Sequence, residues 1–361
     1  MLFLRAFFFF INRKRFSFCV NWFIIHKRLR FGSMSKKIKK IGVLTSGGDA
    51  PGMNAAIRAV VRACAYYELG CVGIYRGYQG LIDKDFEELA ARSVRNIINR
   101  GGTFLKSARC AAFRTEEGRA LAHQNLVEAG IDALVVIGGD GSFTGALRLK
   151  EEHGFPVIGI PATIDNDING TDYTIGYDTA LNTVVDAIDK IRDTASSHNR
   201  LFLVEVMGRD AGDIALNSGV GAGAEEILIP EEDKGIEHLV DSLNRSKKSG
   251  KTSSIIVVAE GERSGKNILE LAEIIGTKVT GYDIRVSVLG HIQRGGAPSC
   301  YDRVLASKLG VGAVDALLNG ESNVMVGITN RKVASVAFEI AIKKQRPLDI
   351  DLRRVLDITT I

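Results

Sequence analysis

From Lys40 onward, short apolar, β-branched runs alternate with longer segments whose apolar positions recur at helical spacing. The pattern predicts strands at 41–44, 71–75, 133–138, 156–160, 201–206, 254–259, 284–290 and 323–328. Their apolar character is continuous rather than alternating, which marks strands covered on both faces. NAAIRAVVRACAYYE (54–68) and DTALNTVVDAIDKIRDT (178–194) carry helical periodicity. At 361 residues the chain can bury a sizeable core as two domains. The expected fold class is α/β: two doubly wound domains with mainly parallel sheets and an active site in the cleft at the strand C-terminal ends.

The residues just beyond each strand narrow the chemistry. After 41–44 comes TSGGDAPG, after 133–138 GDGS, after 156–160 ATIDND, after 201–206 MGRDAGD, after 254–259 EGERSG, and after 284–290 HIQRGG. Ligands of open α/β sheets bind in crevices beyond the strand carboxyl ends. Ends that combine glycine with acid, Arg or His point to one broad polar site or two facing ones. PATIDNDINGTDYTIG (161–176) crowds Asp165, Asp167 and Asp172 into one such end. Asp, Asn and Gly also make ordinary turns, so this loop read alone leaves both readings open.

Composition changes the picture at one end of the chain. Residues 1–33 hold seven Lys or Arg, no Asp or Glu, nine of the sixteen Phe and the only Trp, Trp22. Without them, 40 basic residues face 42 acidic ones, a formal charge of −2 against +5 for the whole chain. A near-neutral body removes the main support for nucleic-acid binding. The longest apolar run of the leader, Ala6–Ile11, is too short to cross a bilayer. It also lacks the longer apolar stretch and small-residue cleavage site of a secretory signal. An Arg-rich, acid-free leader fits organelle targeting or an interfacial anchor, but it reads first as an upstream extension outside the fold, with Met34 as the working start. The five cysteines (Cys19, Cys64, Cys71, Cys110 and Cys300) form no C-x-x-C pair, which fits reduced thiols in a cytoplasmic protein and argues against structural zinc.

Candidate chemistry comes next. TSGGDAPGMN (45–54) is a glycine-rich turn into a helix, where backbone amides and the helix start favour an anion. A plain strand-to-helix turn explains it equally well, and it is neither a Walker A nor a G-x-G-x-x-G sequence. GGDGS (138–142) is sharper: small residues leave backbone room for a triphosphate, and Asp140 offers an oxygen ligand for Mg²⁺. Arg109, Arg200, Arg209, Arg285 and Arg294 add guanidinium forks that match phosphate oxygens, although each alone reads first as a solvated or ion-paired surface residue. His291 reads equally as a structural histidine. Arg58 and Arg62 lie four apart, on one helix face, and read first as a solvated face. Gly219–Ala224 has G-x-G-x-x-A spacing but precedes the strand-like EILIP, so it is not a dinucleotide fingerprint.

Six motifs stand in one order: LTSGGDAPGMNAAIR (44–58), INRGGTFLKSAR (98–109), VVIGGDGS (135–142), TIDNDINGTDYTIG (163–176), VEVMGRDAGD (204–213) and VLGHIQRGGAPSCYDR (288–303). With them the chain resembles ATP-dependent 6-phosphofructokinase of the bacterial type from about Lys37 to its C-terminus. The resemblance implies transfer of the ATP γ-phosphoryl group to the 1-hydroxyl of fructose 6-phosphate, with Mg²⁺ on Asp140. It makes Asp165 the general base, with Thr163 beside the moving phosphoryl, Arg209 stabilising its charge and Asp167 a supporting charge. Gly48, Tyr78, Arg109, Cys110, Gly139, Asp140, Gly141 and Ser142 would line the ATP site. Thr163, Ile164, Asp165, Met207, Gly208, Arg209, Glu260, His291, Ile292, Gln293 and Arg294 would meet the sugar phosphate. Arg200 and Arg285 would reach its 6-phosphate across a subunit boundary, which implies a homotetramer in the cytoplasm.

The resemblance also implies two domains with chain crossovers, 34–176 plus 293–343 and 177–292 plus 344–361. Pyrophosphate-using relatives tend to carry an acid after GGD and a lysine before TIDND; Gly141 and Ala162 stand there, which favours ATP. Ala162 itself replaces a usual glycine. An effector site for ADP or phosphoenolpyruvate is partly matched by Arg58, Arg62, Arg192, Gly223, Glu225 and Lys251. Ser249, Ser253 and Ala91 stand where Lys, His and Arg are frequent, so regulation is expected to be weakened or altered. The rival readings are a pyrophosphate-dependent enzyme of the same fold and a non-catalytic sugar-phosphate-binding regulatory subunit.

Overall fold

The computed structural model describes residues 38–343 and 349–360, apart from 199, 233–234, 249 and 251–252. The leader 1–33, Ser249 and Lys251 lie outside the described residues. The strands are β1 (Lys40–Thr45), β2 (Gly70–Ile74), β3 (Phe86–Glu88), β4 (Ala133–Gly138), β5 (Val157–Pro161), β6 (Arg200–Val206), β7 (Glu226–Leu228), β8 (Ser254–Ala259), β9 (Asp283–Val288), β10 (Val324–Thr329) and β11 (Lys332–Ala337). The helices are α1 (Met53–Tyr66), α2 (Tyr78–Asp83), α3 (Glu116–Glu128), α4 (Asp140–His153), α5 (Tyr177–Ser196), α6 (Asp213–Gly221), α7 (Gly235–Lys248), α8 (Ile268–Lys278), α9 (Cys300–Leu318), α10 (Phe338–Ala341) and α11 (Ile350–Thr359).

Two sheets result, one ordered β11-β10-β5-β4-β1-β2-β3 and one ordered β7-β8-β6-β9. All pairings are parallel except β2–β3 and β10–β11 at the two edges of the first sheet. β4, β5 and β8 are buried along their whole length, as continuous apolar runs require. β9 departs from that expectation. It is an edge strand with alternating partial exposure, and it stops at Val288 rather than 290 because Gly290 opens a 3₁₀ turn, Gly290–Arg294.

In each sheet the chain leaves a central strand to build first one side and then the other. The first sheet reverses between β1 and β4, and the second around β6. Such reversals leave a crevice at the strand carboxyl ends. β1 and β4 end in TSGGD and GGDGS; β6, β8 and β9 end in MGR, EGER and LGHIQR. α1 and α9 pack so closely that a Cβ on Gly310 would stand 2.5 Å from the Cβ of Ala59. α11 returns to the second sheet, where buried Arg353 meets Glu226 at 2.6 Å. No described helix is long and apolar enough to cross a membrane.

Candidate active site

The turns after β1 and β4 lock together. Ser46 N–H donates to the Ile137 carbonyl at 3.0 Å, and a Cβ on Gly138 would come 2.4 Å from the Ser46 carbonyl oxygen. Gly47 and Gly48 are exposed above this contact, whereas Ala50–Asn54 are buried. The start of α1 is therefore covered and offers no ligand an open helix end, contrary to the expectation for that turn. The open helix start belongs to α4. Gly139 caps it without a side chain, so first-turn N–H groups are left for a ligand. Asp140 and Gly141 stand there, and a Cβ on Gly141 would meet nothing within 4 Å.

Several expected ATP-site residues support this turn from beneath. The Tyr78 ring is buried, stacks on Phe113 at 4.0 Å, and donates its hydroxyl to the Ser142 carbonyl at 2.5 Å. Tyr78 is thus a floor rather than a free hydroxyl. Arg109 is exposed, and Cys110 Sγ accepts the Phe113 N–H at 3.4 Å. Asn54, not singled out in the sequence, binds the opposite wall. Its amide donates to the Arg100 and Gly101 carbonyls at 3.1 Å and accepts the Phe104 N–H at 2.5 Å.

The acidic loop after β5 folds back on itself. Asn166 takes a positive φ of 53°, a conformation Asn tolerates, and its Oδ1 accepts the Thr174 N–H at 3.0 Å. Thr174 Oγ1 donates to the Thr163 carbonyl at 2.6 Å, and Asp165 N–H donates to Thr163 Oγ1 at 3.2 Å. Asp165 is 2% exposed, and its Oδ1 has no hydrogen-bond partner. Burial pushes its pKa up, against the pull of Arg294 and Arg209. Burial likewise raises Asp167, to about 6, with Asp165 and Asp140 adding repulsion. Ile164 and Ala162 lie in the core cluster, 0% and 1% exposed. The extra methyl of Ala162 is thus core packing and does not line the cleft, and Ile164 presents no side chain to it.

The second sheet contributes the cations. Arg209 Nη1 stands 3.7 Å from Asp140 Oδ1. Partial burial works against its charge, but Asp140, Asp165 and Asp167 hold its pKa above the ordinary value. Its backbone has a positive φ of 55°, strained for a residue with a side chain, and Glu260 holds it there by accepting its N–H at 2.8 Å. Arg294 Nη1 donates to the Asp49 carbonyl at 3.3 Å. Gln293 is fully buried: it accepts the Met207 N–H at 3.2 Å and donates to the Gly290 carbonyl at 3.0 Å. Its side chain is spent inside the protein, while neighbouring His291 and Ile292 are exposed.

Two groups of expected residues fall elsewhere. Arg200 and Arg285 both bind Asp283, at 3.1 and 2.8 Å. Arg200 and Asp283 open β6 and β9, at the opposite end of that sheet from Arg209 and His291. Arg192 donates to the Ala222 and Gly223 carbonyls at 2.8 and 2.7 Å and stands 3.7 Å from Glu225. Arg58 and Arg62 project from α1, where burial and then Arg62 lower the pKa of Arg58.

The cleft therefore joins Asp140, Asp165 and Asp167 with Arg209 and Arg294, beside an open helix start. Such a set can bind a polyphosphate, hold a hard cation and remove a proton. Among the described residues no group of three or more His, Cys, Asp or Glu is placed to hold a metal unaided.

A family model described as Phosphofructokinase matches residues 40–317. ATP-dependent 6-phosphofructokinase 2 of Bacteroides thetaiotaomicron is 54% identical over 319 residues, covering 88% of this chain and 98% of that protein. ATP-dependent 6-phosphofructokinase of Bacillus subtilis is 58% identical over 296 residues, covering 82% and 91%. Among solved structures, Pichia pastoris phosphofructokinase in the T-state superposes with a TM-score of 0.79 at 36% identity, covering 90% of this chain and 37% of that one.

Proposed function

This chain belongs to the phosphofructokinase family, and from that membership we propose that it moves the γ-phosphoryl group of ATP to the 1-hydroxyl of fructose 6-phosphate, giving fructose 1,6-bisphosphate and ADP. The observation that carries this reading is Asp165. It is a buried carboxylate with one unpartnered oxygen, raised in pKa by burial and faced by two guanidinium groups. A base poised above the ordinary carboxylate range accepts a hydroxyl proton more readily near neutral pH. Thr163 holds the loop beside it through its Oγ1. Arg209 would stabilise charge on the transferring phosphoryl, and a fixed cation there lowers the barrier without reorganising.

Gly48, Gly139, Gly141 and Ser142 would surround the ATP phosphates, and Arg109 and Cys110 the rest of the nucleotide, with Tyr78 supporting the turn from beneath. Asp140 would hold Mg²⁺, which when bound neutralises charge on the phosphate oxygens. Met207, Gly208, Glu260, His291 and Arg294 would hold the sugar. Arg200 and Arg285, turned away from their own chain's cleft, would serve the 6-phosphate bound to a second copy, which asks for a homotetramer. We divide the chain into 34–176 plus 293–343 and 177–292 plus 344–361, because α11 docks on the second sheet while β10 and β11 complete the first. Arg192, Gly223 and Glu225 would form part of an effector site for ADP or phosphoenolpyruvate, in a protein of the cytoplasm.

Open space at Gly141 supports a nucleotide over pyrophosphate, because no side chain closes the phosphate turn. Rates with ATP and with pyrophosphate, each with fructose 6-phosphate as acceptor, test the reading. Turnover with ATP alone is expected; faster turnover with pyrophosphate overturns the donor, and none with either overturns the enzyme.

A further inference from the structure

Asp302 is a fully buried carboxylate with no part in the phosphoryl-transfer chemistry of the cleft. It is the third residue of α9, and the N-cap Ser299 accepts its N–H at 3.2 Å. Its oxygens accept the Gly176 N–H at 2.9 Å, the Thr179 N–H at 2.8 Å and the Thr179 hydroxyl at 2.5 Å. These donors belong to the start of α5. Among the described residues no Lys or Arg pairs with Asp302, so the positive end of a helix serves in place of a cation.

On the other side of Gly176 lies the Asp165 loop. Ile175 N–H donates to the Pro161 carbonyl at 3.0 Å, and Thr174 bonds both the Thr163 carbonyl and Asn166. The last residues before α5 are thus tied to the first residues after β5, and Asp165 sits inside that closed ring. Gly52, which precedes α1, packs against the same point at a φ of 113°. A Cβ there would stand 2.6 Å from Ile175 Cγ2 and 3.6 Å from the Cβ of Asp302. The glycine turn before α1 and the Asp165 loop before α5 meet at this carboxylate, and the N-cap Ser299 that carries it lies five residues beyond Arg294.

We propose that Asp302 is a positioning residue for phosphoryl transfer, fixing the Asp165 loop relative to the glycine turn and Arg294. The inference rests on the reading of Asp165 as the base. Asp302→Asn keeps the volume but turns an N–H donor toward Gly176 or Thr179, so one backbone donor loses its acceptor. The ring then shifts and carries Asp165 with it, while Arg209 and Glu260 of the second sheet stay in place. Misplacement of about 1 Å costs up to about 100-fold in rate.

The test compares the full-length wild type with Asp302→Asn and Thr179→Val, well below their unfolding midpoints. Asp302→Asn is expected to lower kcat by about tenfold or more, with KM for ATP and fructose 6-phosphate held within about threefold. Thr179→Val should lower kcat less, and Thr179→Ser should restore it. Amide exchange across 162–176 should accelerate in Asp302→Asn, a readout independent of turnover. A folded Asp302→Asn with unchanged kcat and unchanged exchange overturns the proposal and leaves Asp302 a helix cap. If that variant does not fold, the kcat-against-KM split in Thr179→Val decides instead. Absence of ATP-dependent turnover in the wild type strikes the parent reading, while the exchange result still decides for or against Asp302.

Discussion

Asp165→Asn separates the chemistry of the cleft from its stability, and the two should move in opposite directions. The substitution keeps the side-chain volume and removes the charge and the basicity. A positioned general base contributes about 10²–10⁴-fold, which corresponds to about 3–5 kcal/mol of barrier. kcat should fall by that factor in a steady-state assay at saturating ATP and fructose 6-phosphate. Stability should rise. The carboxylate is 2% exposed with an unpartnered oxygen, and burial raises its pKa. A carboxyl raised in the folded state binds more protons folded than unfolded. Its contribution to stability is present below the ordinary carboxylate pKa and is lost as pH rises through the folded one. The Asn variant lacks that loss, so its advantage over wild type should open as pH rises above the ordinary carboxylate range in urea unfolding. A variant retaining more than about a tenth of wild-type kcat would refute the base. A variant less stable than wild type at pH 8 would refute burial as the dominant influence on Asp165.

Three further outcomes are expected. Arg353→Ala leaves buried Glu226 without its guanidinium partner, with the Ile227 N–H at 3.1 Å and His238 at 3.7 Å remaining. It should cost about 3–5 kcal/mol in urea unfolding, and a cost under about 1 kcal/mol would mean the pair does not hold α11. Gly145→Ala places a Cβ 2.9 Å from the Tyr78 ring, which Phe113 backs at 4.0 Å and cannot yield. Overpacking of about 1–3 kcal/mol should raise the KM for ATP, and an unchanged KM would detach Tyr78 from the nucleotide site. ADP should relieve phosphoenolpyruvate inhibition only weakly, given Ser249 and Ser253; strong relief in a rate assay would mean Arg192 and Glu225 suffice.

Much of the scaffold was legible because burial on both faces leaves a mark that needs no partner to read. The runs at 133–138 and 254–259 match β4 and β8 to the residue. β3 and β11 escaped because exposed edge strands carry no continuous apolar run; FEE and KVASVA become strands by pairing with β2 and β10. Asp165, Asp140 and Arg209 stood out as candidates only together, because several strand ends combine acid or Arg with glycine, and the roles proposed for them came from the family resemblance. Asn54 and Asp302 stood inside two of the motifs without a role, because each is an ordinary polar residue until its partners are known.

The sequence by itself determined the period of each element and the residue types at each strand end, both local properties of neighbouring positions. Only the tertiary structure decided which ends meet. The packing of one sheet against the other put Asp140, beyond a strand of the first, 3.7 Å from Arg209, sixty-nine positions away and beyond a strand of the second. The tertiary structure also closed the start of α1 and opened that of α4. The reason is physical. A carboxylate's pKa and a helix end's availability depend on what is packed against them, and that packing is set by strand order and long-range contact rather than local spacing.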